Sequence, residues 1–242
     1  MKFEDMINKI ILGDCIDYLK YIPDKSIDLV LTDPPYGINA DKGVGGFGAS
    51  PNKAKKYNDN WDSITPVKEV FDELLRVGKK VIIFGGNYFT DKLPVNGHWI
   101  VWDKVGEIKF QNPFSDCELC WTNIDKKIVK KYLVKQQGFI NDGDDVFHPT
   151  QKPYRLITDI IKDYTEENDL ILDAFSVSGT VCCSAKDNNR RFIGFEINEK
   201  FYKKSIDRLN GITSNGQMTI FANFNDVRGI NEKSNDWLYA KY

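Results

Sequence analysis

The sequence lacks most of the features that would assign it to a class at once. It has no apolar stretch long enough to span a bilayer. Met1 to Lys9 mix acids, Lys and Asn without an apolar signal core, so the chain reads as cytoplasmic with no membrane partner. It has no excess of positive charge. The formal net charge is -2, which removes the bulk argument for nucleic-acid binding and leaves only room for a local basic groove. The five cysteines, Cys15, Cys117, Cys120, Cys182 and Cys183, are an odd count, which argues against a disulfide framework. Cys117 and Cys120 have the spacing of half a zinc site, but no second pair accompanies them and His98 and His148 stand alone. No metal is expected, and both cysteines read as small buried residues. Cys182 and Cys183 read as helix packing. Internal repeats and low-complexity segments are absent. So is any Gly-x-Gly-x-x-Gly, which argues against a nicotinamide dinucleotide.

What is present describes a globular chain of 242 residues, 41% hydrophobic and 28% charged, long enough for one domain with insertions. Short apolar runs alternate with helical patterns. Strands are expected at 10–12, 27–32, 80–84, 99–102, 169–175 and 191–195. Helices are expected at 15–21, from Pro66 to about Val77, from Pro153 to about Tyr164, after Thr180, and from an Asn198 cap to about Leu209. Residues 37–60 read as a long loop, 103–147 as irregular, and 218–222 as a further strand. Alternating strands and helices imply an α/β fold with a mainly parallel sheet, whose ligands bind beyond the carboxyl ends of the strands. Asp14, Asp33, Gly85-Gly86, Phe175 to Gly179 and Glu196 all lie at such ends.

Leu31-Thr32-Asp33-Pro34-Pro35-Tyr36-Gly37 follows a buried strand. Two prolines remove two backbone donors and leave a rigid turn with carbonyls free to accept. A carboxylate before that turn and an aromatic ring after it suit a flat heterocycle bearing an NH2 group, the chemistry of a nucleobase amine. A second group is Asp173-Ala174-Phe175-Ser176-Val177-Ser178-Gly179-Thr180, a tight turn that lets a ligand approach the backbone. Glu196, at the tip of the next strand, is placed to accept from ribose hydroxyls. A third is Phe147-His148-Pro149-Thr150-Gln151-Lys152-Pro153, where Gln151 and Lys152 beside a helix start suit a carboxylate or phosphate.

In this order the three groups resemble the S-adenosylmethionine-dependent DNA amino-methyltransferases. The catalytic motif comes first and the cofactor motif late, as in the permuted β group. Gly13-Asp14-Cys15, Trp102-Asp103-Lys104, Ser115 to Thr122 and Ile193-Gly194-Phe195-Glu196 with Tyr202 agree. The resemblance implies a doubly wound, Rossmann-like methyltransferase sheet over residues 1–210, with an inserted recognition region at 103–147 and an extension at 211–242. It implies methyl transfer from S-adenosylmethionine to a base flipped out of double-stranded DNA, with adenine N6 as target for an Asp-Pro-Pro-Tyr member; cytosine N4 is the alternative. By the resemblance, Asp33 and Pro34 accept from the target amine, Pro35 stiffens the turn and Tyr36 stacks on the base. Asp14 and Cys15 lie near the cofactor adenine and Glu196 holds its ribose. Asp173, Phe175, Ser176, Ser178, Gly179 and Thr180 line its amino acid end, with Gln151 and Lys152 at its carboxylate. Lys42, Lys53, Lys55 and Lys56, and Lys126, Lys127, Lys130, Lys131 and Lys135 around Tyr132, form two basic clusters suited to a phosphate backbone. A homodimer is one possible assembly, and a restriction partner would be another chain. The departure is Val177, where the family commonly has Gly. A β-branched residue at a position that needs φ > 0 is costly, and a catalytically weakened DNA-binding relative is the reading that follows from it.

Overall fold

The computed structural model describes residues 1–38, 62–107, 115–136 and 151–211. The Lys42 to Lys56 cluster, His148 with the rest of 147–150, the 218–222 strand and the extension after Gly211 lie outside the described residues. The described residues form one sheet of eight strands: β1 (Lys9–Leu12), β2 (Ile27–Thr32), β3 (Gly78–Phe84), β4 (Trp99–Asp103), β5 (Cys117–Thr122), β6 (Val129–Leu133), β7 (Leu170–Asp173) and β8 (Arg191–Glu196). The spatial order is β1-β8-β7-β2-β3-β5-β4-β6. Among the described residues five α-helices accompany it: α1 (Cys15–Leu19), α2 (Lys68–Val77), α3 (Tyr154–Tyr164), α4 (Thr180–Asp187) and α5 (Glu199–Leu209).

The helices lie on both faces because the strands are apolar on both. In β2, Leu29 and Leu31 pack on one face with Ile160, Ile161, Cys182 and Ala185, and Val30 packs on the other with Phe71 and Leu74. This period of two is what a pleated strand imposes. Val70, Phe71, Leu74 and Val77 make one stripe on α2. Asn198 begins α5 by accepting the Lys200 and Phe201 amides on its side chain.

The register puts the functional candidates on one edge. Leu12 pairs with Glu196, Asp173 with Gly194, and Thr32 with Ile83, all in parallel. The chain leaves β2 for β3 on one side and β7 for β8 on the other, so β2 and β7 flank the topological switch point. There the Thr32 hydroxyl donates to Asp173 at 2.8 Å. β5 runs antiparallel to both of its neighbours, so its beginning, at Cys117 and Glu118, reaches that same edge.

Two expectations are corrected. Residues 103–147 are not all irregular, since they contain β5 and β6. Cys117 is exposed and only Cys120 is buried, because burial along β5 rises from its start at Cys117 to its end, where both faces are covered. No described helix is long and apolar enough to cross a membrane. Asn198→Ala should cost about 1 kcal/mol of unfolding free energy by urea denaturation, the usual worth of such a cap.

Candidate active site

Asp33 stands one residue past β2. Its Oδ1 accepts the Tyr36 hydroxyl at 2.6 Å and its Oδ2 accepts the Lys152 ammonium at 2.6 Å. The turn between Asp33 and Tyr36 is held from below by Asp62, which is buried and whose Oδ1 accepts the amides of Tyr36 at 2.7 Å and Gly37 at 3.0 Å. Nothing in the sequence around Asp62 marks it, since its partners lie 26 and 25 positions away.

Lys152 is buried at 8% exposure. It also pairs with Glu118 Oε2 at 3.3 Å, and Lys104 donates to Glu118 Oε1 at 3.0 Å. Its ammonium lies over the Phe84 and Tyr36 rings. Burial alone would lower the Lys152 pKa, but Asp33 and Glu118 outweigh it and the net shift is upward, so the ammonium is kept. Burial pushes the Asp33 carboxyl up; Lys152 opposes the shift and Glu118 adds to it. For Glu118 burial again raises, but Lys152 and Lys104 bring the net shift down.

The Tyr36 ring is stacked on Tyr88, with centroids 4.8 Å apart and planes 15° from parallel. Tyr88 is 40% exposed. Room for the Tyr36 ring exists because residue 85 is Gly: a Cβ there would fall 2.2 Å from Tyr36 Cε1, and the backbone has φ +67.

One cavity joins this cluster to the turn after β7. It is lined by Thr32, Asp33, Gln151, Lys152, Asp173, Phe175 to Ser178 and Thr180, among others. Asp173 is buried beside Asp33 and Glu196, and burial pushes its pKa up to about 7 against hydrogen bonds from Thr32 and the Phe175 amide. The Ser178 hydroxyl meets Thr180 at 3.1 Å, and Arg208 of α5 braces Thr180 at 2.7 Å. The Ser176 hydroxyl lies near Cys182 Sγ at 3.8 Å, so both serine hydroxyls have partners within the protein. Gly179 takes φ +70 and Val177 takes φ +42. The Val177 amide donates to Glu196 Oε2 at 2.8 Å and the Asn198 amide to Oε1 at 2.7 Å. Burial raises the Glu196 carboxyl and these amides pull it back.

Asp14 caps α1 by accepting the Ile16 amide at 3.2 Å. Cys15 is buried, its thiol pushed up to about 12 by burial and by Asp14. Beside them Leu12 and Ile197, at the ends of neighbouring strands, are 41% and 69% exposed. In the sequence these apolar tips are marked only by one apolar residue just past an acidic strand end.

The structure brings Asp33, Tyr36, Gln151, Lys152, Asp173, Phe175, Ser176, Ser178 and Thr180 together. Asp14, Cys15 and Glu196 lie further along the same edge. Lys152 faces Asp33 and, with Gln151, lines the same cavity as the turn after β7. The second basic cluster is split: Lys130 pairs with Asp163, Lys131 with Asp103, and Tyr132 is buried with its hydroxyl on Asp163. Lys126, Lys127 and Lys135 are exposed.

The DNA methylase family model of the N6/N4 methyltransferases matches residues 117–207. The Type II methyltransferase M.HpaI of Haemophilus parainfluenzae is 27% identical over 240 residues, covering 85% of this chain and 75% of its own length. The PvuII DNA methyltransferase, described as cytosine-N4-specific, superposes with a TM-score of 0.55 at 17% identity, covering 83% of this chain and 85% of that one. The M1.HpyAVI–SAM complex superposes with a TM-score of 0.53 at 18% identity, covering 84% and 98%. The fold is thus the Rossmann-like α/β fold of the methyltransferases.

Gly85→Ala should cost about 2–3 kcal/mol by urea denaturation, because a methyl group would strike the Tyr36 ring and the positive φ would be strained. Asp173 gives a pH signature. Its folded pKa lies above the ordinary unfolded value, so its contribution is complete below about pH 4 and is lost as pH rises towards about 7. Asp173→Asn should therefore gain on the wild type by on the order of 1–2 kcal/mol between pH 4.5 and 7.5. Urea curves that stay equally spaced across that range would sink this assignment.

Proposed function

We propose that this chain is an S-adenosylmethionine-dependent DNA amino-methyltransferase whose target is N6 of adenine. The observation that carries the reading is the Asp33 carboxylate on a cavity it shares with the turn from Asp173 to Thr180. The family match over 117–207 and the likeness to M.HpaI support the DNA methylase part. The adenine part rests on Asp33 in the Asp-Pro-Pro-Tyr turn.

The residues present fit the cofactor. Glu196 carries lone pairs beyond those used by the Val177 and Asn198 amides, enough for ribose hydroxyls. Leu12 and Ile197 offer apolar surface for a purine, with Asp14 and Cys15 beside them. The turn from Phe175 to Thr180 lines the side nearer Asp33, with Gln151 at its rim. When bound, S-adenosylmethionine supplies an electrophilic methyl group whose leaving group is a neutral thioether.

The chain's own work is alignment. An adenine amine is a poor nucleophile because its lone pair is delocalised into the ring. Asp33, and the Pro34 carbonyl beside it, would accept its two hydrogens and turn the lone pair out of the ring plane. Asp33 need only orient the amine, since the proton leaves after transfer. With Lys152 on one oxygen and the Tyr36 hydroxyl on the other, Asp33 keeps a fixed direction and still has lone pairs to offer. A duplex base reaches this edge only by flipping out. It would stack on Tyr36 in the place that Tyr88 now takes, or be held between the two rings. Of the second basic cluster, Lys126, Lys127 and Lys135 are exposed and would suit phosphates.

A second reading, a weakened DNA-binding relative, is favoured by one observation: Val177 holds φ +42, a conformation costly for a β-branched residue. Labelled methyl transfer to mixed-sequence duplex DNA decides between them. N6-methyladenine from the wild type, with activity at least about 1000-fold lower in Asp33→Ala, is the expected result. N4-methylcytosine would move the target to the other base. No product from a folded wild type would favour the binding protein. Val177→Gly relieves the strain, and calorimetry should show its cofactor affinity raised by roughly two- to tenfold.

A further inference from the structure

Glu118 is a partly buried acid, with one oxygen enclosed, that the mechanism above does not use. It sits on β5, the reversed strand, and reaches the site only because that strand begins at the catalytic edge. Its Oε1 is held by Lys104 at 3.0 Å. Its Oε2 is enclosed, 3.3 Å from the Lys152 ammonium, and has no hydrogen-bonding partner among the described residues. The same ammonium is 2.6 Å from Asp33. One cation is therefore divided between two carboxylates, one of which faces the reaction and one of which does not.

We propose that Glu118 is a positioning residue: by drawing on Lys152 it sets how firmly the ammonium holds Asp33, and so how strong an acceptor Asp33 offers to the target amine. This rests on the methyltransferase reading above. Were Lys152 bound to Asp33 alone, its full charge would fall on the oxygen that the amine needs, and Asp33 would be a weaker acceptor. Were Lys152 absent, burial would favour a protonated Asp33. Glu118 holds the pair between these limits, and Lys104 sets how much of the Glu118 charge remains for Lys152. The other groups facing this cluster are the Tyr36 hydroxyl, the Cys120 thiol on β5 and Asp173 on β7.

Two substitutions should act with opposite sign. Glu118→Gln leaves Lys152 to Asp33, so the Asp33 titration should fall by about one pH unit. Lys104→Gln frees Glu118 to pull harder on Lys152, so the titration should rise. The first readout needs no activity: 13C NMR titration of the Asp33 carboxyl in full-length protein, assigned with Asp33→Asn. The second is the pH profile of kcat for methyl transfer. Its acid limb should follow the same two shifts, with kcat of Glu118→Gln down roughly two- to tenfold and KM for S-adenosylmethionine little changed. Glu118→Asp should restore much of the wild-type profile, which a purely structural role would not require.

An Asp33 titration that stays put in both Glu118→Gln and Lys104→Gln overturns the proposal, as does an active wild type whose acid limb neither variant moves. A wild type that transfers no methyl group fails the functional reading instead, and the NMR result distinguishes that case. If Glu118→Gln does not fold, the upward shift in Lys104→Gln and the rescue by Glu118→Asp carry the test, and their absence overturns it.

Discussion

A single buried ammonium organises the edge that carries the candidate site. Lys152 stands just before α3, Asp33 just after β2 and Glu118 on β5, so one charge ties three separate parts of the chain to one point. Such a contact is costly to form because Lys152 leaves water and both carboxylates leave it in large part, and it is stable only when the charges meet together. Lys104 supplies the second cation, which brings the four groups to neutrality. Neutrality suits the proposed reading, in which the reagent is positively charged: an uncompensated carboxylate would trap it and an uncompensated cation would repel it. The stacked Tyr36 and Tyr88, the Phe84 ring and the Asp62 brace then fix the turn around this cluster.

The parts of this arrangement visible in the sequence are those that local chemistry dictates. β2 shows at Ile27 to Thr32 because a strand buried on both faces needs an unbroken apolar run. α5 shows at its start because Asn198 caps it, and Gly179 shows because the turn before α4 needs a positive φ. β5 and β6 did not show. β5 begins Cys-Glu-Leu-Cys, and its Glu is acceptable in a strand only because two lysines from elsewhere neutralise it. β6, Val-Lys-Lys-Tyr-Leu, alternates in burial but places apolar Val129 and Leu133 on the outward face and Lys130 beside Tyr132 on the inward one, so its sequence pattern does not read as a strand. The ion pair from Lys152 to Asp33 spans 119 positions, and no window of sequence contains it.

The turn after β7 repeats the lesson on a smaller scale. Val177 was conspicuous because it stood where a small flexible residue is common, and the backbone does adopt the left-handed conformation there. Less visible was the compensation: its amide is fastened to Glu196, and the turn behind it is braced by Arg208 from α5. Strain at one residue is held by neighbours that become adjacent only once the sheet has formed.

The pairing of Lys104 with Glu118 also ties the end of β4 to the start of β5. Lys104 and Glu118 flank the connection between β4 and β5, and the Lys104 amide donates to the Asp116 carbonyl at 2.9 Å, so the two ends of that connection are fastened to each other at its root. The Glu118 carboxylate is therefore positioned by groups at the root of that connection. On the methyltransferase reading, the charges that face the target amine thus take their geometry from the sheet itself.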